Sequence, residues 1–559
     1  MKKIKRMLAL LLALCMVTGV FVGCTPESSD NHGNIQVDPN DYEFQKCEVT
    51  ISGPQGATDE WGETVMVKTM KEKFGVTLNC QPYPDDAWKT KLSLMLAEDE
   101  LPDIIVNAGL GARDANKYGA EEYFLNIANY LAFMPNFSAF LDAHPDYKAF
   151  CTAPDGGIYF LPTYKEDVTD DIPRAFIKTS WLENVGMDYP ETAEELYAVL
   201  KAFKEKDANG NGDPNDEIPL MWAGSYSRTV EHSLLSMFGI LTSGSTAKPY
   251  GILSVDKNGK VYLADTTDNF KAYLTYMNKL WKEGLIWNES YTVNINRQRE
   301  LTKADRVGIF TDASSYVAAG NGDPKDSQYY QYFAGLTSDY AEKPVVAHGS
   351  PVNNTAHIAI SALTKNPAEI CRMIDWFYSD EGALFGWRGD VESYCVYESL
   401  NIEGAEDLYV WNYKKTLPEG YESWEAYRHK AQVINNAFQI RNILQDDVKL
   451  FQTAENDTLI KFAQAGQSGW KAMMQLRINQ ADIEIVAGYP TLIYDETLTQ
   501  ERSQLKTDIT TYIQTMKAQF ITGEKSIETD WDDFIATLKT MKLDRWLQIE
   551  QQAYDQMYG

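Results

Sequence analysis

Between Cys47 and Val106 the apolar residues change period repeatedly, and this alternation limits the fold more than any other feature of the chain. Cys47 to Ile51 (CEVTI) reads as a strand. Glu63 to Phe74 reads as a helix, with Val65, Val67, Met70 and Phe74 apolar. Gly75 to Leu78 turns back into a strand, and Trp88 to Ala97 is helical again, carrying Trp88, Leu92, Leu94 and Met95. Leu101 to Val106 is a short apolar run of the kind buried on both faces of a parallel sheet. A β-α-β-α-β order predicts an α/β domain with a largely parallel sheet.

A second unit of the same class follows. Thr192-Ala193-Glu194-Glu195 is a capping box, opening a helix whose Leu196, Val199, Leu200 and Phe203 form one apolar face. Ile218 to Trp222 reads as a strand, Phe270 to Lys282 as a helix, and Arg306 to Phe310 as another strand. Ala356 to Ile360 (strand) and Pro367 to Tyr378 (helix) come next. The C-terminal part is mainly helical: Leu505 to Phe520, then Trp531 to Leu538 with Thr529 as N-cap, then a helix through Trp546 and Tyr554. About 515 residues beyond position 45 are too many for one core, so two or more domains are expected.

The first residues point to export. Lys2, Lys3, Lys5 and Arg6 precede an uncharged, mostly apolar run from Met7 to Phe21. That run is too short to span a hydrocarbon core of ~30 Å as a helix, and it reads as a signal peptide over 1–23. Phe21-Val22-Gly23-Cys24 resembles a bacterial lipobox, so Cys24 is the expected lipidation site and the chain an extracellular lipoprotein on the outer face of a cell membrane. Residues 24–45 then read as a lipidated Cys followed by a flexible tether. Formal charge is −29, and taking away the four leader cations leaves −33. Such a surface repels phosphate backbones, which argues against nucleic acid as a partner. Seven cysteines occur. Cys15 leaves with the leader and Cys24 takes lipid; the other five are isolated, with no metal-type spacing.

Residues 207–217 read DANGNGDPNDE. Asp207, Asn209 and Asn211 alternate as in positions 1, 3 and 5 of an EF-hand loop, with Gly212 at the sharp turn. Oxygen donors are dense here: Asp207, Asp216 and Glu217 supply carboxylates, Asn209 and Asn211 amides, and Asp213 a carbonyl. The loop closes on Asp216 and Glu217 rather than on a glutamate at position 12, which is Ile218, and it enters a strand instead of a second helix. A structural Ca2+ pinning helix to strand is expected; a plain polar Asn-Gly turn is the alternative.

Several segments, spread in order over nearly the whole exported part, carry a family resemblance: Asp155 to Pro162 (DGGIYFLP), Trp181 to Gly186 (WLENVG) followed by Pro190-Glu191-Thr192, the DANGNGDPNDEIPL loop, Leu280 to Ile286 (LWKEGLI), Arg306-Val307-Gly308, Tyr378 to Gly382 (YSDEG), and Phe520 to Glu524 (FITGE) with Trp531. In these the chain resembles the extracellular solute-binding proteins of family 1, in particular their LipO-like and alginate-binding-protein-like lipoprotein branch. Where that branch often shows Gly-x-Glu-Gly followed by Tyr, this chain has Gly386-Trp387-Arg388-Gly389 and then Tyr394, and Lys178 only loosely matches the usual basic residue before Trp181-Leu182.

The resemblance implies a type II periplasmic-binding-protein fold: two α/β lobes joined by a hinge, with a ligand cleft between them. Lobe one is expected at 46–163 plus 334–400 and lobe two at 164–333 plus 401–559. It further implies a carbohydrate ligand, mono- or oligosaccharide, passed to the permease subunits of an ABC importer, with the binding protein acting as a monomer and the calcium loop occupied. Ligands of open α/β sheets sit beyond the carboxyl ends of strands. Trp61, Asn107, Tyr164, Trp222, Trp387 and Arg388 stand at such positions and are the expected ligand contacts. A peptide or other non-sugar solute is the alternative cargo. A secreted glycoside hydrolase is a weaker reading: no G-x-S-x-G or H-E-x-x-H occurs, the six His lack metal spacing, and Gly109-Leu110-Gly111 lacks the third glycine of a dinucleotide loop. No enzymatic activity is expected.

Overall fold

The structure, a computed structural model, describes residues 41–558 apart from 320–323, 354, 400–408, 422, 444–448, 450 and 464–468. The leader and Cys24 lie outside the described residues. Among these residues, two four-stranded sheets are built from β1 (Cys47–Pro54), β2 (Val76–Tyr83), β3 (Ile104–Val106), β4 (Ala175–Lys178), β5 (Ile218–Leu220), β6 (Val307–Thr311), β7 (Tyr330–Tyr332) and β8 (Ile358–Ile360).

The first sheet has the order β8-β3-β1-β2. β1 pairs in parallel with β2 and β3, as expected, and β8 joins antiparallel to β3. The helices between these strands cover it: Val65–Phe74 buries Met66, Val67 and Met70, and Asp85–Glu98 buries Trp88, Leu92, Met95 and Leu96.

The second sheet has the order β7-β4-β6-β5. Only β5 and β6 are parallel; β4 is antiparallel to both β6 and β7. The sheet is therefore mixed, not largely parallel. A parallel pair needs a crossover of a dozen or more residues, and helix Asp268–Lys282 provides one between β5 and β6. β4 instead enters directly from a crossing between lobes, so nothing obliges it to run with β6. The capping box is present as read: Glu195 N donates to Thr192 Oγ1 at 3.2 Å and Thr192 N to Glu195 Oε2 at 3.2 Å. The helix Ala193–Glu205 packs on one face with Asp268–Lys282, Glu496–Thr522 and Ile527–Thr540. Phe176, Phe310, Trp470 and Met474 fill the other face. The helix expected to be capped by Thr529 starts earlier: Ser526 Oγ accepts from Thr529 N, so Thr529 is in the first turn.

Three chain segments cross between the lobes side by side. Tyr164–Lys165 pairs in parallel with Arg441–Asn442 and antiparallel with Val352. Tyr164 N donates to Ile440 O at 2.8 Å, Lys165 N to Pro351 O at 2.9 Å, and Asn353 N to Thr163 O at 3.0 Å. This is the hinge. Residues 334–348, grouped from sequence with lobe one, still pack in the second lobe: Leu336 and Val346 are in its cores, and Val345–His348 pairs with Glu484–Ala487. Residues 428–440, grouped with lobe two, hydrogen-bond the first lobe instead, through Arg428 to Trp387 O and Asn435 to Pro54 O. Loop segments carry little periodicity, so sequence pattern does not register where they dock. The five described cysteines are free thiols, and no described helix is long and apolar enough to cross a membrane.

Two buried groups make the second lobe testable. Trp181, fully buried, packs edge-on to Phe203 at 5.3 Å and donates Nε1–H to Asp305 Oδ1 at 2.9 Å. Trp181→Ala is expected to cost about 3–5 kcal/mol and to lower the second lobe's calorimetric transition. His232 is 1% exposed. Burial, with the Lys517 ammonium nearby, pushes its imidazole down to about 3 from the usual 6.5. A depressed folded-state value stabilises fully above 6.5, and that stability is lost as pH falls from there towards 3, by about 2 kcal/mol at pH 5. Thermal melts should therefore fall below pH 6.5, and His232→Asn should flatten that slope.

Candidate functional site

β5 and β6 run in parallel, so their carboxyl ends share one edge of the second sheet. Trp222 follows β5 at that edge. Arg174, just before the antiparallel β4, arrives at the same end; its guanidinium donates to Asp170 Oδ1 at 3.0 Å and to Ala313 O at 2.8 Å. Burial opposes ionisation of Asp170, yet Arg174, Lys471 and Lys165 outweigh it and hold its carboxyl at about 2. The edge therefore adjoins the hinge.

A cavity of about 290 Å3 opens here, at the low end of the ~300–1,000 Å3 of small-molecule sites. Trp222, Tyr226, Tyr250 and Tyr291 supply aromatic walls. Trp222 is buried and meets the Tyr291 ring edge-on at 5.2 Å, whereas Tyr226 and Tyr250 are half-buried. Gly224 lets the loop after Trp222 pass close to residues 290–291: a Cβ there would come within 2.1 Å of Tyr291 O. Beside the cavity the Ser290 Oγ and Tyr291 Oη atoms are shut off from solvent and, among the described residues, have no hydrogen-bond partner. Such groups cost ~1–3 kcal/mol each unless something pairs them.

The base of the cavity is charged. Lys517 Nζ lies 2.5 Å from Glu231 Oε1, with both side chains under 5% exposed. Tyr273 Oη–H donates to the same Glu231 oxygen at 3.0 Å, and Lys517 Nζ also donates to Pro249 O at 3.1 Å. The wall segment 247–250 leads from Gly244, which is packed against Asp171, and Asp171 in turn abuts Gly349 beside the hinge.

The first lobe offers a polar edge. Asn107, at the end of β3 with φ 48°, donates Nδ2–H to Asn435 O at 3.0 Å, and Asn435 donates Nδ2–H to Pro54 O at 2.7 Å. Asn435 and Asn436 both have positive φ, a conformation asparagine tolerates better than most residues. Trp387 is half-buried under the Arg388 guanidinium, 3.9 Å from its ring centre. Tyr394, Tyr413 and Trp424 stack nearby with centroids 5.6–6.1 Å apart. Arg113 Nη1, from the first lobe, donates to Thr499 Oγ1 at 2.7 Å on helix Glu496–Thr522.

The expected contacts therefore separate. Trp222 lines the second-lobe cavity; Asn107, Trp387 and Arg388 lie on the first lobe. Trp61 is fully buried with its indole N–H on Gln55 O at 3.1 Å, so it props the end of β1 and has no surface to offer a solute. Tyr164 is enclosed by the rings of Phe140, His144 and Tyr147; it packs the hinge. Sequence reading missed Tyr226, Tyr250, Tyr291, Glu231 and Lys517, which lie up to 291 positions apart (Tyr226 to Lys517) and share no local motif. Asn435-Asn436 carried the one visible signal, an Asn pair between apolar runs.

The 207–217 loop lies at the start of β5, at the opposite end of that strand from the cavity. Its oxygens turn inward: Asp207 accepts from Asn211 N at 2.9 Å and Gly212 N at 2.8 Å, and Asn211 Oδ1 from Asp213 N at 2.8 Å. Asp216 accepts from the Asn209 and Asn211 amides. Glu217 Oε1 accepts from Ala208 N, while its buried Oε2 has no partner. The Asp213 side chain instead accepts from Asn215 N. An all-oxygen donor set with an orphaned carboxylate oxygen suits a hard cation. Among the described residues no three His, Cys, Asp or Glu side chains converge as a metal cluster, so a cation here would also draw on amide and carbonyl oxygens.

Comparisons with known proteins agree on one group. The family model described as bacterial extracellular solute-binding protein matches residues 58–384. The fructooligosaccharide ABC transporter substrate-binding protein FusA of Streptococcus pneumoniae is 25% identical over 538 residues, covering 91% of this chain and 89% of FusA. Its structure with fructo-nystose, an EF-hand mutant, superposes with a TM-score of 0.66 at 22% identity, covering 91% and 99% of the two chains. An extracellular solute-binding protein from Bifidobacterium longum subsp. infantis superposes with a TM-score of 0.68 at 20% identity, covering 91% and 98%. Lipoprotein LipO of Bacillus subtilis is 28% identical over 318 residues, 56% of each chain. The two-lobed fold is that of periplasmic solute-binding proteins, and the chain belongs to the bacterial extracellular solute-binding protein family.

Proposed function

We propose that this protein captures an oligosaccharide between its lobes and hands it, unaltered, to the permease of an ABC importer. The observation that carries this reading is the second-lobe cavity, where Trp222, Tyr226, Tyr250 and Tyr291 surround the Glu231–Lys517 pair. Sugar C–H faces are apolar and slightly positive, so they stack on the negative face of an aromatic ring. Sugar hydroxyls both donate and accept, and Ser227, Thr229, Gln514 and the Glu231–Lys517 pair in the lining offer partners of both kinds. FusA, named for fructooligosaccharides, supports the same cargo class. The cavity seats one end of the ligand; the Asn107–Asn435 edge and the Tyr413–Trp424 stack on the first lobe would meet the rest.

A ligand touching both lobes favours the closed form by as much as its affinity differs between open and closed states. A permease that docks only the closed form then accepts loaded protein. Cys24 would carry the lipid that holds the protein at the outer membrane face, as a monomer on its tether. Two acyl chains suffice for stable anchoring. A bound Ca2+, held by Asp207, Asn209, Asn211, Asp216, Glu217 and a carbonyl near Asp213, would lock helix Ala193–Glu205 to β5.

Three outcomes test these readings. In a thermal-shift screen of neutral oligosaccharides, acidic oligosaccharides and peptides, a ligand at 100 times its Kd stabilises by ~2.7 kcal/mol. Shifts are expected with saccharides, and shifts with peptides alone would end the sugar reading. Tyr226→Ala should weaken saccharide binding about tenfold by calorimetry. Chelation should lower the melting temperature and added Ca2+ restore it, with Asp207→Ala blunting both effects; indifference to chelator would remove the calcium assignment.

A further inference from the structure

We propose that the second-lobe cavity selects an uncharged sugar ring over a uronate, and that Glu231 sets this preference by neutralising Lys517. The inference rests on the carbohydrate reading and names the ligand's charge class.

A buried, unpaired ammonium in a binding cavity attracts carboxylates strongly, because charge-assisted hydrogen bonds are the strong ones and little solvent screens them. Lys517 is the buried cation of this cavity, and it does not stand unpaired. Its Nζ is 2.5 Å from Glu231 Oε1 and also donates to Pro249 O at 3.1 Å. The pair is neutral as a unit, yet its two ends differ in what they offer an incoming ligand. Glu231 Oε1 already takes Lys517 and the Tyr273 hydroxyl. Among the described residues Oε2 accepts a single long contact, from Thr229 Oγ1 at 3.5 Å. A carboxylate oxygen with a vacant lone pair wants a donor. A sugar hydroxyl is one. A uronate carboxylate has no proton to give and meets a desolvated like charge.

The other polar groups around the cavity fit the same ligand. Ser227, Thr229 and Gln514 in its lining are neutral and can donate or accept. His232, behind the Glu231–Lys517 pair, is kept uncharged by burial, so it adds no cation. The other cation in the lining is Lys248. Lys248 is exposed and screened by water, and the Arg228 guanidinium is held by Tyr226, donating to its hydroxyl at 3.0 Å.

The test is calorimetry on the exported part of the chain, with kestose, maltotriose, xylotriose and cellotriose as neutral probes and trigalacturonate and triguluronate as acidic ones. The wild type is expected to bind at least one neutral probe and to bind each acidic probe at least tenfold more weakly. Glu231→Gln keeps the shape and leaves the Lys517 charge uncompensated; it should raise affinity for the acidic probes about tenfold or more. The double variant Glu231→Gln, Lys517→Met should lose that gain. Wild-type binding of an acidic probe as tight as the best neutral one would overturn the inference while leaving the carbohydrate reading intact. So would a folded Glu231→Gln variant with unchanged acidic-probe affinity. The wild-type ranking decides even if the single variant does not fold. If neither probe class binds, the carbohydrate reading falls and this inference falls with it.

Discussion

A handful of backbone hydrogen bonds around Tyr164 bears the whole arrangement. Three segments, near residues 164, 352 and 441, cross between the lobes within hydrogen-bonding distance of one another. Backbone pairing fixes their mutual register while leaving the lobes on either side free to rotate by small dihedral changes. Around this patch the charges are dense and paired: Arg441 on Glu166, Lys471 on Asp167, Arg174 on Asp170. Breaking one partner of such a pair leaves a costly charge behind. The hinge therefore has a defined resting geometry, not a loose tether.

From that constraint the site follows. The parallel β5–β6 pair and the antiparallel β4 deliver Trp222 and Arg174 to the edge next to the hinge. The parallel strands of the first lobe deliver Asn107 and the loop after Pro54 to theirs. Neither edge alone makes a full set of contacts. The second lobe supplies aromatic faces and a buried ion pair, the first Asn107, Asn435 and Asn436, all with positive φ. The Arg113–Thr499 hydrogen bond already spans the two.

Much of this was legible from residues alone, because periodicity and capping act locally. The β1-to-β3 alternation, the Thr192–Glu195 capping box and the helix Asp268–Lys282 follow from nearest-neighbour chemistry, and the structure places them as read. The lobe-two sheet was misjudged because strand direction is set by which connections precede it, and a loop crossing a hinge leaves no periodic trace. Trp61 and Tyr164 show the limit for aromatic residues. An aromatic after a strand fits a ligand wall and a core prop equally well, and only packing distinguishes them. The Glu231–Lys517 pair spans 286 positions and is visible only once the C-terminal helix has docked.

The account's central claim is that a solute is gripped by closing two lobes about the Tyr164 hinge. Small-angle X-ray scattering, before and after saturation with the saccharide that gives the largest thermal shift, tests it most directly. A smaller radius of gyration with ligand, at unchanged molecular mass, is the predicted result. An identical scattering profile with and without a ligand shown to be bound would contradict it.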